Sequence, residues 1–157
     1  MDISIKLEDY TYNYRAAALI KNDGKVLVHH EIGMPFVTLP GGRIATGEDS
    51  ITTLKREIKE EMDIDVEHVR SVATIENFFD AKEQGLYHEL LMVHEMVFEN
   101  YEDYMKEIVP IEESKKGVLE FLWLDRRELE ETQVRPVELK NFIINDMPYT
   151  HVIHNEI

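Results

Sequence analysis

The chain has no cysteine among its 157 residues. That excludes disulfides, thiolate metal sites and a cysteine nucleophile. It is also short of positive charge: 17 Lys and Arg stand against 32 Asp and Glu, for a net charge of −15. Nucleic-acid binding needs basic side chains to neutralise phosphates, so nucleic acid is not an expected partner. The same field opposes small polyphosphates unless cations screen them locally. No apolar run approaches the length of a bilayer span, so no membrane partner is expected. The first residues, Met1 to Asp9, hold neither a basic segment nor an apolar one, and no secretory signal is read there. A cytoplasmic protein is the resulting expectation. Repeats, linkers and low-complexity segments are absent too.

What is present suits one folded domain over residues 1–157, because 43% of the chain is apolar, enough for a sizeable core. Tyr14 to Ile20 and Lys25 to His29 read as strands joined at Asp23-Gly24, a hairpin signal. Pro35 to Leu39 reads as a short strand that Pro40-Gly41-Gly42 breaks. Thr46 is the expected cap of a helix over about 47–62, with Asp49 as its reciprocal acid. Val66 to Phe79 and Gly85 to Phe98 form a second strand pair around a turn at Asp80 to Gln84. A charged stretch from Glu99 to Gly117 follows, with a short helix near Tyr101 to Ile108. Leu119 to Leu124 is a strand, Asp125 caps a short helix Arg126 to Glu131, and Pro136 opens a last helix, Val137 to Ile144. Strand groups with helices between them give an α+β class.

The informative segment is the 23 residues from Gly42 to Ile64, GRIATGEDSITTLKREIKEEMDI. With Glu57 at zero on a helical wheel, Glu61 falls near 40° and Glu60 near −60° at about 100° per residue. Ile51, Leu54, Ile58 and Met62 fall between about 60° and 140° on that wheel. The three carboxylates therefore share an arc bordering the apolar face, where lower dielectric sharpens their repulsion and favours a bound cation. Oxygen-only ligands favour Mg²⁺ or Mn²⁺. A solvated Glu-rich face with an Arg56–Glu60 pair is the bland alternative. The Gly41-Gly42 step upstream tilts the balance, because a freely bending backbone can offer a carbonyl to the same cation.

The spacing Gly42, five residues, Glu48, seven residues, Arg56-Glu57-Ile58, one residue, Glu60-Glu61, one residue, Asp63-Ile64 resembles the Nudix box, G-x5-E-x7-R-E-U-x-E-E-x-G-U. One position departs from it: Asp63 stands where the family has glycine. That position ends the helix, where a left-handed residue is common and Asp adopts it at modest cost. The Leu39-Pro40 lead-in and the Trp123-Leu124-Asp125 step also look like the family, over roughly Tyr12 to Ile144.

The resemblance implies an α/β/α sandwich with a mixed sheet. It also implies a metal-dependent hydrolase that cleaves the pyrophosphate bond of a nucleoside diphosphate linked to another moiety. A non-catalytic domain that binds a nucleotide or metabolite as a sensor is the competing reading. By the same resemblance Glu57 and Glu61 are the main ligands of Mg²⁺ or Mn²⁺, with Glu60 a further ligand and the Gly41 carbonyl completing the set. Arg56 orients the glutamates and Glu48 is its ion-pair partner or an added ligand. The general base stays open among Glu57, Glu112, Glu113 and Glu89, the last sharing a strand face with Leu91 and Val93. A small nucleotide-type substrate is the expected partner, and a homodimer is one expected assembly. Phe78, Phe79 and Tyr87 flank the second strand pair as stacking or core residues. The histidines read as structural, with His151 and His154 exposed. The downstream proline of the family's ADP-ribose type and the nearby tyrosine of its diadenosine polyphosphate type are both missing, so the substrate is open.

Overall fold

The computed structural model describes residues 1–113 and 117–157, with Glu113 described by its backbone alone. Ten strands and three α-helices are formed among these residues: β1 (Ser4–Leu7), β2 (Tyr10–Leu19), β3 (Lys21–Asn22), β4 (Lys25–Glu31), β5 (Gly41–Arg43), α1 (Ser50–Met62), β6 (Val66–Asp80), β7 (Leu86–Phe98), β8 (Ile111–Glu113), β9 (Gly117–Asp125), α2 (Arg126–Glu131), α3 (Leu139–Ile144) and β10 (Thr150–Asn155). The larger sheet runs β1-β2-β7-β6-β10, with β5 also paired to β2. It is mixed, since β2–β7 and β6–β10 are parallel and β1–β2, β2–β5 and β6–β7 antiparallel. The smaller sheet, β3-β4-β9-β8, is antiparallel throughout.

Alternation along β2 divides the core. Ala16 and Ala18 point to one side with Leu54, Ile58 and Met62 of α1. Ala17 and Leu19 point to the other with Leu129 of α2 and Leu139, Phe142 and Ile143 of α3. Successive strand side chains face opposite ways, so one strand serves both cores. Helices cover both faces of a mixed sheet, which is the α/β/α arrangement expected. Among the described residues no helix is long and apolar enough to cross a membrane.

Five readings of the sequence need correction. The helix of the acidic segment begins at Ser50, and its cap is Asp49, whose Oδ1 accepts from the Thr52 N–H at 2.7 Å. Thr46 instead donates to the Met1 carbonyl, because Gly47 at φ 86° turns the chain before the helix can start. Pro35 to Leu39 is no continuous strand. Thr38 bonds to His29 while Val37 bonds to Gln133 and Arg135, so its partners lie in two separate segments. Gly41–Arg43 is a strand rather than a break, and α3 starts at Leu139 because 136–140 closes with i,i+3 bonds from Leu139 to Pro136 and Lys140 to Val137. The expected short helix after Glu99 is a single 3₁₀ turn, Tyr101–Met105.

The C-terminal strand β10 was not foreseen. It lies parallel on β6, where Val152 packs against the core and His154 is half-buried. Asp63 behaves as its position demands: φ 57° and ψ 40° put it in the left-handed region at the C-terminus of α1, its N–H bonded to the Lys59 carbonyl.

Candidate active site

The two glycines before α1 serve close approach. A Cβ on Gly41 would lie 2.0 Å from the Ala16 carbonyl oxygen, so only glycine lets β5 press onto β2. A Cβ on Gly42 would lie 2.5 Å from the Glu57 carboxyl carbon. The β5 backbone and the α1 carboxylate thus meet face to face.

Arg56 organises the helix acids. Its Nε and Nη2 donate to Glu48 at 2.9 to 3.1 Å, a forked arrangement, and its Nη1 donates to Glu57 at 3.0 Å and Glu60 at 3.4 Å. Thr53 adds a bond to Glu48. The Arg56 hydrogen bond holds the Glu48 carboxyl below its usual range against the opposing effect of burial. Glu57 moves the other way. Burial raises its carboxyl above the ordinary range, Arg56 opposes that, and the charges of Glu60 and Asp2 push it further up. Desolvation outweighs a paired cation there, so the site disfavours one more negative charge.

The single arc of three carboxylates is split. Glu61 is buried and Glu57 nearly so, whereas the Glu60 side chain is 60% exposed and turned to Arg56. Glu57 and Glu61 line a cavity of about 650 Å³ together with Gly41 and Gly42; Glu60 and Glu48 do not. The other acids among the described residues of this cavity are Asp2, Glu89 and Glu112, so five described carboxylates stand with two described arginines, Arg15 and Arg43. Of the base candidates, Glu112 and Glu89 are brought to the cavity with Glu57. The side chain of Glu113 lies outside the described residues. Glu89 is buried at 4% exposure, as its strand face suggested, 3.9 Å from Arg15 and 3.5 Å from the Asn77 amide nitrogen.

Among the described residues no group of three or more His, Cys, Asp or Glu side chains is arranged to hold a metal ion. The donor set still fits a hard divalent cation. Mg²⁺ usually takes one or two carboxylates and fills its sphere with waters and substrate phosphates, and Glu57, Glu61 and the β5 backbone would supply the protein's share.

Sequence reasoning missed Asp2, Asn13, Arg15, Arg43 and Gln84 at this cavity. Asp2 arrives through its bridge to Ala45, and Asn13 and Arg15 alternate along β2 beside Glu89 and Leu91 of β7. Phe79 and Tyr87 stack at 5.1 Å and both reach the cavity, whereas Phe78 stacks on His88. A separate hollow of about 510 Å³ at the β3–β4 hairpin contains none of the acidic-segment residues. The histidine readings hold for His29, stacked on Phe121, and for His94, buried against Ser50 and His68. His154 is not exposed as expected: it is clamped between Glu138 and Glu156.

Comparison with known proteins gives two results. The profile of the NUDIX domain family matches residues 11–143. Solved structures share the fold at low identity. An ADP-ribose pyrophosphatase from Streptococcus suis 89-1591 is 16% identical at a TM-score of 0.63, covering 89% of this chain and 98% of that one. A MutT NUDIX hydrolase from Burkholderia pseudomallei is 18% identical at 0.61, covering 85% and 98%. A UDP-X diphosphatase is 14% identical at 0.59, covering 89% of this chain and 66% of that one, so the chain spans just under two thirds of its length. No curated protein matches the chain by sequence.

Proposed function

The chain belongs to the NUDIX domain family, and from that premise we propose that it is a metal-dependent hydrolase of a pyrophosphate bond in a nucleoside diphosphate linked to another moiety. One observation carries the reading: among the described residues five carboxylates, Glu57 and Glu61 among them, face two arginines in one cavity. A pyrophosphate entering alone would meet an excess of like charge in a partly desolvated space. A divalent cation reverses that balance. The structural relatives described as ADP-ribose pyrophosphatase and UDP-X diphosphatase act, by those descriptions, on compounds of this class.

Glu57, Glu61 and the Gly41 carbonyl would hold Mg²⁺ or Mn²⁺. When bound, the ion supplies charge neutralisation on phosphoryl oxygens and lowers the pKa of a coordinated water. The side chains supply position. Arg56, fixed by Glu48, keeps the Glu57 carboxylate over Gly42, and Glu60 steadies Arg56 from the solvent side. Arg15 and Arg43 would bind the phosphate oxygens. Water oxygen adds to one phosphorus as the bridging P–O bond breaks, and the water's proton goes to a carboxylate. We assign that proton to Glu112, because it reaches the cavity from β8 while solvent-exposed, and Glu89 is buried against Asn77 and Arg15.

The test is a substrate panel. Purified protein with Mg²⁺ or Mn²⁺ is given nucleoside triphosphates, nucleotide sugars, ADP-ribose, NADH and dinucleoside polyphosphates, and the phosphate products are identified. Turnover of at least one compound with a cleaved pyrophosphate bond is expected. Binding without turnover of any would favour the sensor reading instead.

A further inference from the structure

The larger sheet has one side that its own fold leaves open. Side chains alternate along each strand, and the register sets which of them stand together. Ile5 and Leu7 of β1 lie beside Tyr12 and Tyr10 of β2, and Tyr12 lies beside His88 of β7. His88 lies beside Phe78 of β6, and Phe78 and Glu76 lie beside Asn155 and Ile153 of β10. α1 covers the far end of this side, at Ala16 and Ala18, with Tyr14 and Met92 at the margin. Beyond that margin the side chains are half-buried or exposed. Leu7 is 58% exposed and Ile153 65%, at opposite edges of the sheet. We propose that this side of the sheet is the contact surface of a homodimer, in which two copies of the chain pack sheet to sheet.

Charge selects a second copy as the occupant. The whole chain carries −15, and 31% of its residues are Asp, Glu, Lys or Arg. Copies repel one another wherever acidic surfaces approach within about 8 Å at physiological salt. Among the described strand positions on this side Glu76 and Asp80 are the only acids, and Lys and Arg are absent. Glu76 is hydrogen-bonded to His151 at 2.7 Å, and Asp80 stands at the end of β6. An anionic membrane or an acidic protein would need basic side chains here. A basic protein would be drawn to the acidic surfaces elsewhere on the chain. Two copies meeting through a nearly uncharged face need neither.

Shape and size agree. β7 is the middle strand of the path β1-β2-β7-β6-β10 and holds the centre of an aromatic row. Its His88 stacks on Phe78 at 4.4 Å and meets Tyr12 edge-on at 5.5 Å. Interface energy concentrates in central aromatic anchors of this kind. A twofold axis lying over β7 sets the row against its own copy, which makes the contact isologous. Sheets packed face to face stand about 10 Å apart at an angle set by their twists, and two copies twist alike. Five strands at about 4.8 Å spacing, with about six residues at about 3.3 Å each, span a flat footprint of roughly 500 Å². Side-chain relief raises the accessible area above that, toward the roughly 600–1,000 Å² per partner of specific interfaces.

The contact leaves the candidate active site open. The same strands turn Asn13 and Glu89 the other way, into the acidic cavity. Dimerisation through this face is therefore independent of the hydrolase reading.

The experiment is sedimentation velocity of the full chain over a dilution series at low and high salt. A dimer should form by about 10 μM, as suits a small interface. Its Kd should fall as NaCl rises from about 0.05 to 0.5 M, because salt screens the repulsion between two acidic copies. Leu7→Glu and Ile153→Glu alter exposed side chains and should keep the fold by circular dichroism. Each should raise Kd about tenfold or more, since each puts an unpaired carboxylate into an apolar contact. Leu122→Glu, at an exposed position of the smaller sheet, should leave Kd unchanged. Should an edge variant not fold, hydroxyl-radical footprinting of the wild type decides: Leu7, Tyr10 and Ile153 must lose reactivity as the dimer forms. A monomer at every concentration overturns the dimer, as does a monomer that sediments with anionic vesicles. A dimer that both edge variants preserve, or that Leu122→Glu breaks instead, overturns the choice of face.

Discussion

The Glu57 carboxylate lies so close over Gly42 that a methyl group on Gly42 would come within 2.8 Å of both its oxygens. The obstacle is the end of a flexible side chain, so Gly42→Ala should fold with a stability change under about 1 kcal/mol. It should nonetheless displace Glu57 and lower metal-dependent activity by about 10- to 100-fold, the range for misplaced ligand partners. Gly41→Ala meets the Ala16 backbone instead. It should reach or pass the upper end of the about 1–3 kcal/mol typical of overpacking. Urea unfolding and initial rates on both variants separate the two roles. Equal loss of stability in the pair would contradict them.

Arg56 reaches Glu48 through two nitrogens and Glu57 through the third. A lysine keeps the charge but has no planar fork. Arg56→Lys should therefore lose about 10- to 100-fold in metal affinity or activity, with unchanged fold by circular dichroism. Retained activity in this variant would reduce Arg56 to a surface cation.

Asp63 occupies a left-handed conformation that glycine adopts without strain. Its ion pair with Lys59 is mostly solvent-exposed and contributes little. Asp63→Gly should raise stability by about 1 kcal/mol or less, read as an upward shift of the urea midpoint. A downward shift would mean that the Lys59 contact outweighs the backbone cost.

His154 joins β10 to the turn before α3 through Glu138, and to Glu156. Burial lowers its affinity for a proton, but the Glu156 and Glu138 hydrogen bonds outweigh burial and raise the pKa above 6.5. A raised histidine stabilises the fold fully below the unfolded pKa, and that contribution disappears as pH rises through the folded one. The stability gap between wild type and His154→Ala should therefore be larger at about pH 6 than at about pH 8.5. A gap that widens with pH would reverse the assignment.

The acidic segment was legible because its chemistry is local. One helical turn brings Glu57 and Glu61 together, and a left-handed helix end explains how Asp63 stands for glycine. Glu89 was legible from strand alternation with Leu91 and Val93. Arg15, Asn13 and Asn77 were not, since only the register of β2, β7 and β6 puts them beside Glu89. Pairing between distant strands leaves no periodic trace in the sequence. Wheel geometry also gave no sign that the Glu60 side chain is 60% exposed beside Arg56, outside the lining of the cavity. β10 was missed for a similar reason. Of its side chains only Val152 packs on the core, too little for an alternating pattern.

Whether the acidic cavity works through a bound cation is decided by one kinetic measurement. It is the initial rate of pyrophosphate-bond cleavage on the best panel substrate across a Mg²⁺ titration, for wild type, Glu57→Gln and Glu61→Gln. The wild type should show a saturable dependence on Mg²⁺, abolished by chelation. Both variants should lose more than the roughly 100-fold upper range for outer-shell partners. Cleavage that survives chelation, or wild-type rates in Glu57→Gln and Glu61→Gln, would contradict a metal held by these two carboxylates.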